Sequence, residues 1–140
     1  MAIELIPLAT ATLKVGQPIK LGDVGIGTRL VAEILSAEWD GDRIKAKQIG
    51  TAAADWPLIG TDGVGRLDVR STLQTHDGAV IYVRYEGRST SGADGSTLYT
   101  SPLFETASPE YAWLNKIQAV AKGRITPGAQ TLVYEIYEVR

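Results

Sequence analysis

Glycine and proline recur throughout this chain, and the runs between them are short, alternating and rich in Val, Ile, Thr and Tyr. A side-chain period of two, bounded by turn residues every ten or so positions, fits strands joined by tight turns and leaves little room for long helices. The pattern predicts a mostly β fold. With 140 residues, 44% of them hydrophobic, the chain has material for one core, so residues 1–140 read as a single domain.

The clearest hairpin joins residues 67–75 to 79–85 through His76-Asp77-Gly78, because Gly in an Asp-Gly turn supplies positive φ at no steric cost. In its first strand Leu67, Val69 and Leu73 share one face, and Asp68, Arg70, Thr72 and Gln74 share the other. Further strands are expected at 9–15, 28–38, 43–49 and 131–139, with 28–38 and 43–49 joined through Trp39-Asp40-Gly41-Asp42. Residues 51–65 read as a long loop or lid carrying Trp56, and 89–97 as a flexible polar loop. Ser108-Pro109 suits the N-cap and first position of a short helix, whereas 117–121 fits a helical stripe and a strand alternation equally well. Gly25-Ile26-Gly27 reads as a turn, since it lacks the strand-to-helix setting of a phosphate-binding loop.

The inventory of reactive groups narrows the chemistry. There is no Cys, one His and a formal net charge of −2. Thiolate nucleophiles, disulfides and zinc-ligand spacings are therefore absent from the sequence, and no basic run offers a track for nucleic acid. His76 occupies an exposed turn position, a poor place for a general base. No apolar stretch approaches the roughly 18 residues of a membrane span, and no secretory leader pattern opens the chain, so the cytoplasm is the expected compartment. What remains is a set of carboxylates, arginine, aromatics and an amide. Asp68 and Arg70 alternate onto one face, close enough for a charge-assisted pair. If that face lined a barrel interior, a desolvated carboxylate, Asp68 or Glu105, would serve as acid or base and Arg70 would stabilise an anion or enolate. Asp55 and Asn115 would orient the ligand, and Trp56, Tyr82 and Trp113 would wall it. The structural alternative is a satisfied ion pair that fixes strand register, with the aromatics closing the barrel ends and Trp39 serving in packing or a dimer contact.

Asp55-Trp56, Leu67-Asp68-Val69-Arg70, Asp77-Gly78-Ala79-Val80-Ile81-Tyr82-Val83, Phe104-Glu105-Thr106, Tyr111-Ala112-Trp113-Leu114-Asn115 and Val133-Tyr134-Glu135-Ile136-Tyr137 resemble, in order and spacing, domain-of-unknown-function family 3237, a group of small bacterial proteins. The resemblance implies a closed antiparallel β-barrel, lipocalin-like or allene-oxide-cyclase-like, with one short helical turn, a strand over 117–122 and association as a homodimer. It establishes no activity. Together these readings predict a barrel that binds a small aromatic or keto-acid-like ligand. If it is an enzyme, the expected chemistry is lyase, isomerase or cyclase chemistry without a cofactor. The competing expectation is a filled, non-catalytic barrel that dimerises through its C-terminal strand and the surface around Trp39.

Overall fold

The computed structural model describes residues 1–140. It contains β1 (Leu5–Val15), β2 (Ile19–Asp23), β3 (Thr28–Asp40), β4 (Lys45–Gln48), β5 (Ala54–Asp55), β6 (Leu58–Ile59), β7 (Gly65–Thr75), β8 (Val80–Gly92), β9 (Gly95–Thr100), β10 (Leu103–Glu105), β11 (Gln118–Ile125) and β12 (Thr131–Val139). A 3-10 helix, Pro109–Lys116, follows β10. Every pairing is antiparallel, and the β7–β8 pairing closes the sheet into an eight-stranded barrel. Two of its staves are broken: β4, β5 and β6 share one, and β9 and β10 share another across Ser101 and Pro102. No helix is long and apolar enough to cross a membrane.

Alternation decides what enters the barrel. On β7, Leu67, Val69, Ser71 and Leu73 are buried and face inward, while Asp68, Arg70 and Gln74 are exposed. Ile81, Val83 and Tyr85 of β8 and Leu132, Tyr134 and Ile136 of β12 do the same from their walls. Tyr134 needs Gly123 beside it in β11, because a Cβ there would run into the tyrosine ring.

One end of the barrel is sealed by the helix. Tyr111 and Leu114 are buried against a floor in which Trp39 meets Phe104 edge-to-face, with centroids 5.8 Å apart. Trp39 is only 4% exposed, so of its two expected roles it takes that of a packing residue. Pro109 starts the helix as expected, although Ser108 contributes no side-chain cap. At the other end β2 pairs only with β3, and its hairpin exposes Ile19, Leu21, Val24 and Ile26.

The strand expected over 117–122 is present as β11, and the hairpin through His76 is β7 and β8. Two expectations are corrected, and one strand is added. Residues 89–97 form no flexible loop: β8 continues to Gly92 and turns directly into β9, with Gly92 paired to Gly95. The loop at 51–65 contains β5 and β6, held by β3 and β7. Residues 19–23, which carry Gly22 and lack β-branched alternation, are strand β2.

Candidate active site within the barrel

Of the eight residues singled out from the sequence, Asp55 alone belongs to the inner wall. It pairs in register with Val69, which pairs with Tyr85, so Asp55, Val69 and Tyr85 form one inward row across three staves. Burial pushes the Asp55 carboxyl up to about 6, and the nearby Asp68 charge adds to the rise. Hydrogen bonds from the backbone N–H groups of Asp68 and Trp56 and the charge of Arg29 act in the opposite direction without cancelling it. The bond from the Asp68 N–H to Asp55 Oδ1 is 3.0 Å long. Arg29 itself is engaged by the Trp56 carbonyl, to which its Nη1 donates at 2.7 Å.

Two phenols stand near this carboxyl. Tyr85 and Tyr134 meet edge-to-face with centroids 5.6 Å apart. Desolvation raises the pKa of both, and the negative charge of Asp55 raises them further, so both stay protonated at neutral pH. They border a small central cavity of about 10 Å³ together with Ser71, Thr100 and an apolar set that includes Leu13, Trp39 and Ile136. No Lys, Arg, Asp or Glu lines it, and the buried Thr100 hydroxyl has no hydrogen-bond partner. Chemically, this part of the barrel offers a carboxyl whose pKa is raised to about 6 and two protonated phenols able to donate a hydrogen bond.

The other candidates lie elsewhere. Asp68, Arg70 and Glu105 are exposed on the outer surface, where Tyr82 is half-buried between Thr72 and Glu105 in register. The expectation that the polar face of β7 lines the interior is thereby corrected: burying Leu67, Val69 and Leu73 removes apolar surface from water, and alternation then forces Asp68 and Arg70 outward. These two do not form an ion pair with each other. Trp56 is 42% exposed and is not among the residues lining the central cavity. Trp113 and Asn115 belong to the sealed end. The Arg43 guanidinium lies 4.7 Å from the centre of the Trp113 ring and pairs with Glu138 at 2.7 Å. Asn115 accepts the Thr106 N–H and donates to the Thr106 carbonyl, pinning the chain after β10 to the helix. Tyr85 and Tyr134 lie outside the set of residues that the polar motifs point to, and the signal that finds them is the alternation of Ile81, Val83, Tyr85 and of Leu132, Tyr134, Ile136.

Residues 3–139 match the family model described as "Protein of unknown function (DUF3237)". The chain belongs to this family. Among relatives, a UPF0311 protein of Rhodopseudomonas palustris strain CGA009 is 28% identical over 144 residues, spanning 93% of this chain and 92% of its own length. A UPF0311 protein of Clostridium acetobutylicum is 28% identical over 141 residues, with 89% of each chain covered. Among solved structures, a beta-barrel like protein of Acinetobacter baumannii AYE superposes with a TM-score of 0.90 at 26% identity, covering 100% of this chain and 98% of that one. A protein of Penicillium herquei described as an enzyme superposes with a TM-score of 0.74 at 24% identity, over 99% of this chain and 94% of its own, and shares the fold. Members of the family are thus β-barrels of uncharacterised activity.

Proposed function

We propose that the barrel binds a small uncharged carbonyl or phenolic compound and moves a proton on it, with Asp55 as the acid or base. The observation that carries this reading is a carboxyl titrating near 6 on the inner wall, in the row that leads over Val69 to Tyr85. A general base works best when its pKa lies near the working pH, and Asp55 meets that condition. Tyr85 and Tyr134, held protonated, would donate to an oxygen on which negative charge develops, as in an enolate or phenolate. The absence of charged side chains from the cavity favours a neutral ligand over a keto acid. In this conformation the space holds at most one water, which needs roughly 10–15 Å³. Ligand binding therefore requires a wall to open, and the stave that carries Asp55 is the weakest, since β5 and β6 have two residues each.

The small cavity also favours a second reading, a filled barrel without turnover. One experiment separates the two. The protein is incubated in D2O with a panel of neutral ketones and phenols, and proton exchange is followed by NMR beside thermal-shift measurements. The acid/base reading expects at least one compound that both raises Tm and exchanges a carbon-bound proton, with exchange lost in Asp55→Asn and reduced in Tyr85→Phe. A panel that leaves Tm unchanged, or exchange that survives in Asp55→Asn, gives the barrel to the second reading.

A further inference from the structure

A second recess lies on the outside of the barrel, across the wall from the Asp55 row and independent of the reading given for it. Outer residues of β8, β9, β11 and β12 border a groove of about 710 Å³. Two rows of side chains build it. In the first, strand register aligns Arg88, Tyr99 and Lys122. In the second, it aligns Val120 with Tyr137, with Leu5 also at the border. Beside the groove, β8 and β9 approach each other closely. A Cβ at Gly87 would overlap the Tyr99 carbonyl, so only glycine permits this approach of the two strands.

The chemistry of the groove is amphipathic. Tyr99 and Leu5, 56% and 51% exposed, give the groove its apolar surface. Arg88 and Lys122 flank Tyr99 on either side, and neither forms an ion pair. Arg88 Nη1 donates at 2.9 Å to the Gly87 carbonyl, and Lys122 Nζ lies 5.7 Å from the centre of the Tyr99 ring. Glu135, opposite Lys122 in register, instead accepts the Thr10 hydroxyl at 3.2 Å. Glu86 also borders the groove, one row away from the two cations. The two free cations are separated by two strand spacings, about 10 Å, with an aromatic ring between them. An anion at the edge of that ring lies within reach of both side chains.

We propose that this groove binds an amphipathic carboxylate, an acyl or aromatic acid. Its charged end lies between Arg88 and Lys122, and its apolar body lies over Tyr99, Val120 and Tyr137 away from Glu86. Charge complementarity is the argument for this occupant: an uncharged partner would leave both cations unpaired beside a desolvated ring.

Calorimetric titration of the intact protein with decanoate and with decan-1-ol, at concentrations below micelle formation, tests the proposal. The expected result is one decanoate bound per chain, at least about tenfold tighter than the alcohol. The Arg88→Gln/Lys122→Gln double variant should remove that preference while binding the alcohol as before, and Asp55→Asn should leave decanoate affinity unchanged. Circular dichroism confirms that these variants fold. Equal affinity for acid and alcohol, a preference that survives the double substitution, or no heat with either compound overturns the proposal. So does sedimentation showing a dimer that Val120→Glu dissociates, because the face then belongs to a second copy of the chain.

Discussion

The two regions of this barrel that pair a tyrosine with an aspartate treat the carboxylate in opposite ways. At the sealed end the Tyr111 hydroxyl donates to Asp77 at 3.0 and 3.1 Å, and the Thr75 hydroxyl donates to it as well. These donors, Thr75 foremost, hold the Asp77 carboxyl below its ordinary range. On the inner wall Tyr85 and Tyr134 stand near Asp55 without bonding to it, and burial drives that carboxyl up to about 6. The same residue types serve to lock a turn where donors satisfy the charge, and to hold a titratable proton where they do not. At the sealed end the Asp77 carboxylate is met by two side-chain hydroxyls, whereas the interior keeps phenol donors and a carboxyl that do not bond to each other.

That contrast can be broken at four points. The largest effect belongs to the floor of the sealed end: Phe104→Ala removes the partner of Trp39 and leaves a void, at a cost of about 3–5 kcal/mol in urea unfolding. The next is pH-dependent. Asp55 has a folded pKa above its unfolded value, so the fold is most stable where the group is protonated and loses stability as pH rises from about 4 to about 6. At about 1.4 kcal/mol per unit, the loss above pH 7 is about 2–3 kcal/mol as an upper bound. Asp55→Asn should therefore raise Tm at pH 8 and change it little at pH 4, a pattern read by calorimetry at the two pH values. A stability curve without this slope would remove the reason for treating Asp55 as special.

Asp77 carries the opposite sign. Its stabilisation is present above the ordinary carboxylate pKa and disappears as pH falls through the lowered folded value. Tyr111→Phe should lower Tm by a few degrees at pH 7 and by less in acid, which differential scanning at pH 7 and pH 3 will show. The smallest effect falls on the outer face, where Arg70→Ala should change stability by less than about 0.5 kcal/mol. Asp68→Asn should act as weakly, since Asp55 is held by the Asp68 backbone rather than by its side chain.

Legibility in the sequence follows the length of the strands. The β7–β8 hairpin is readable because alternation persists along its first strand and an Asp-Gly turn marks it, and β12 because it is a long run of β-branched and aromatic residues, apolar on both faces. The family motifs at 104–106 and 111–115 are equally readable, and the structure shows them joined through Asn115 at the sealed end. The direction of Asp55 is a different matter. It sits in a two-residue strand among Gly, Pro and Ala, too short for any period to indicate a face, and its inward position depends on pairing with a strand 14 residues away in sequence, Asp55 to Val69. For Asp68 and Arg70 the alternation was legible. The choice of which face enters the core belonged to the apolar side, so the polar side that suggested chemistry became the surface.

The proposed chemistry depends on the Asp55 carboxyl, whose pKa burial in the barrel wall raises to about 6. Its most direct test is a carbon-13 NMR titration of the side-chain carboxyl carbon of Asp55, assigned by comparison with Asp55→Asn. The account predicts a midpoint at about 6, shifted further by any ligand that binds beside Tyr85 and Tyr134. A midpoint in the ordinary carboxylate range near 4 would contradict it.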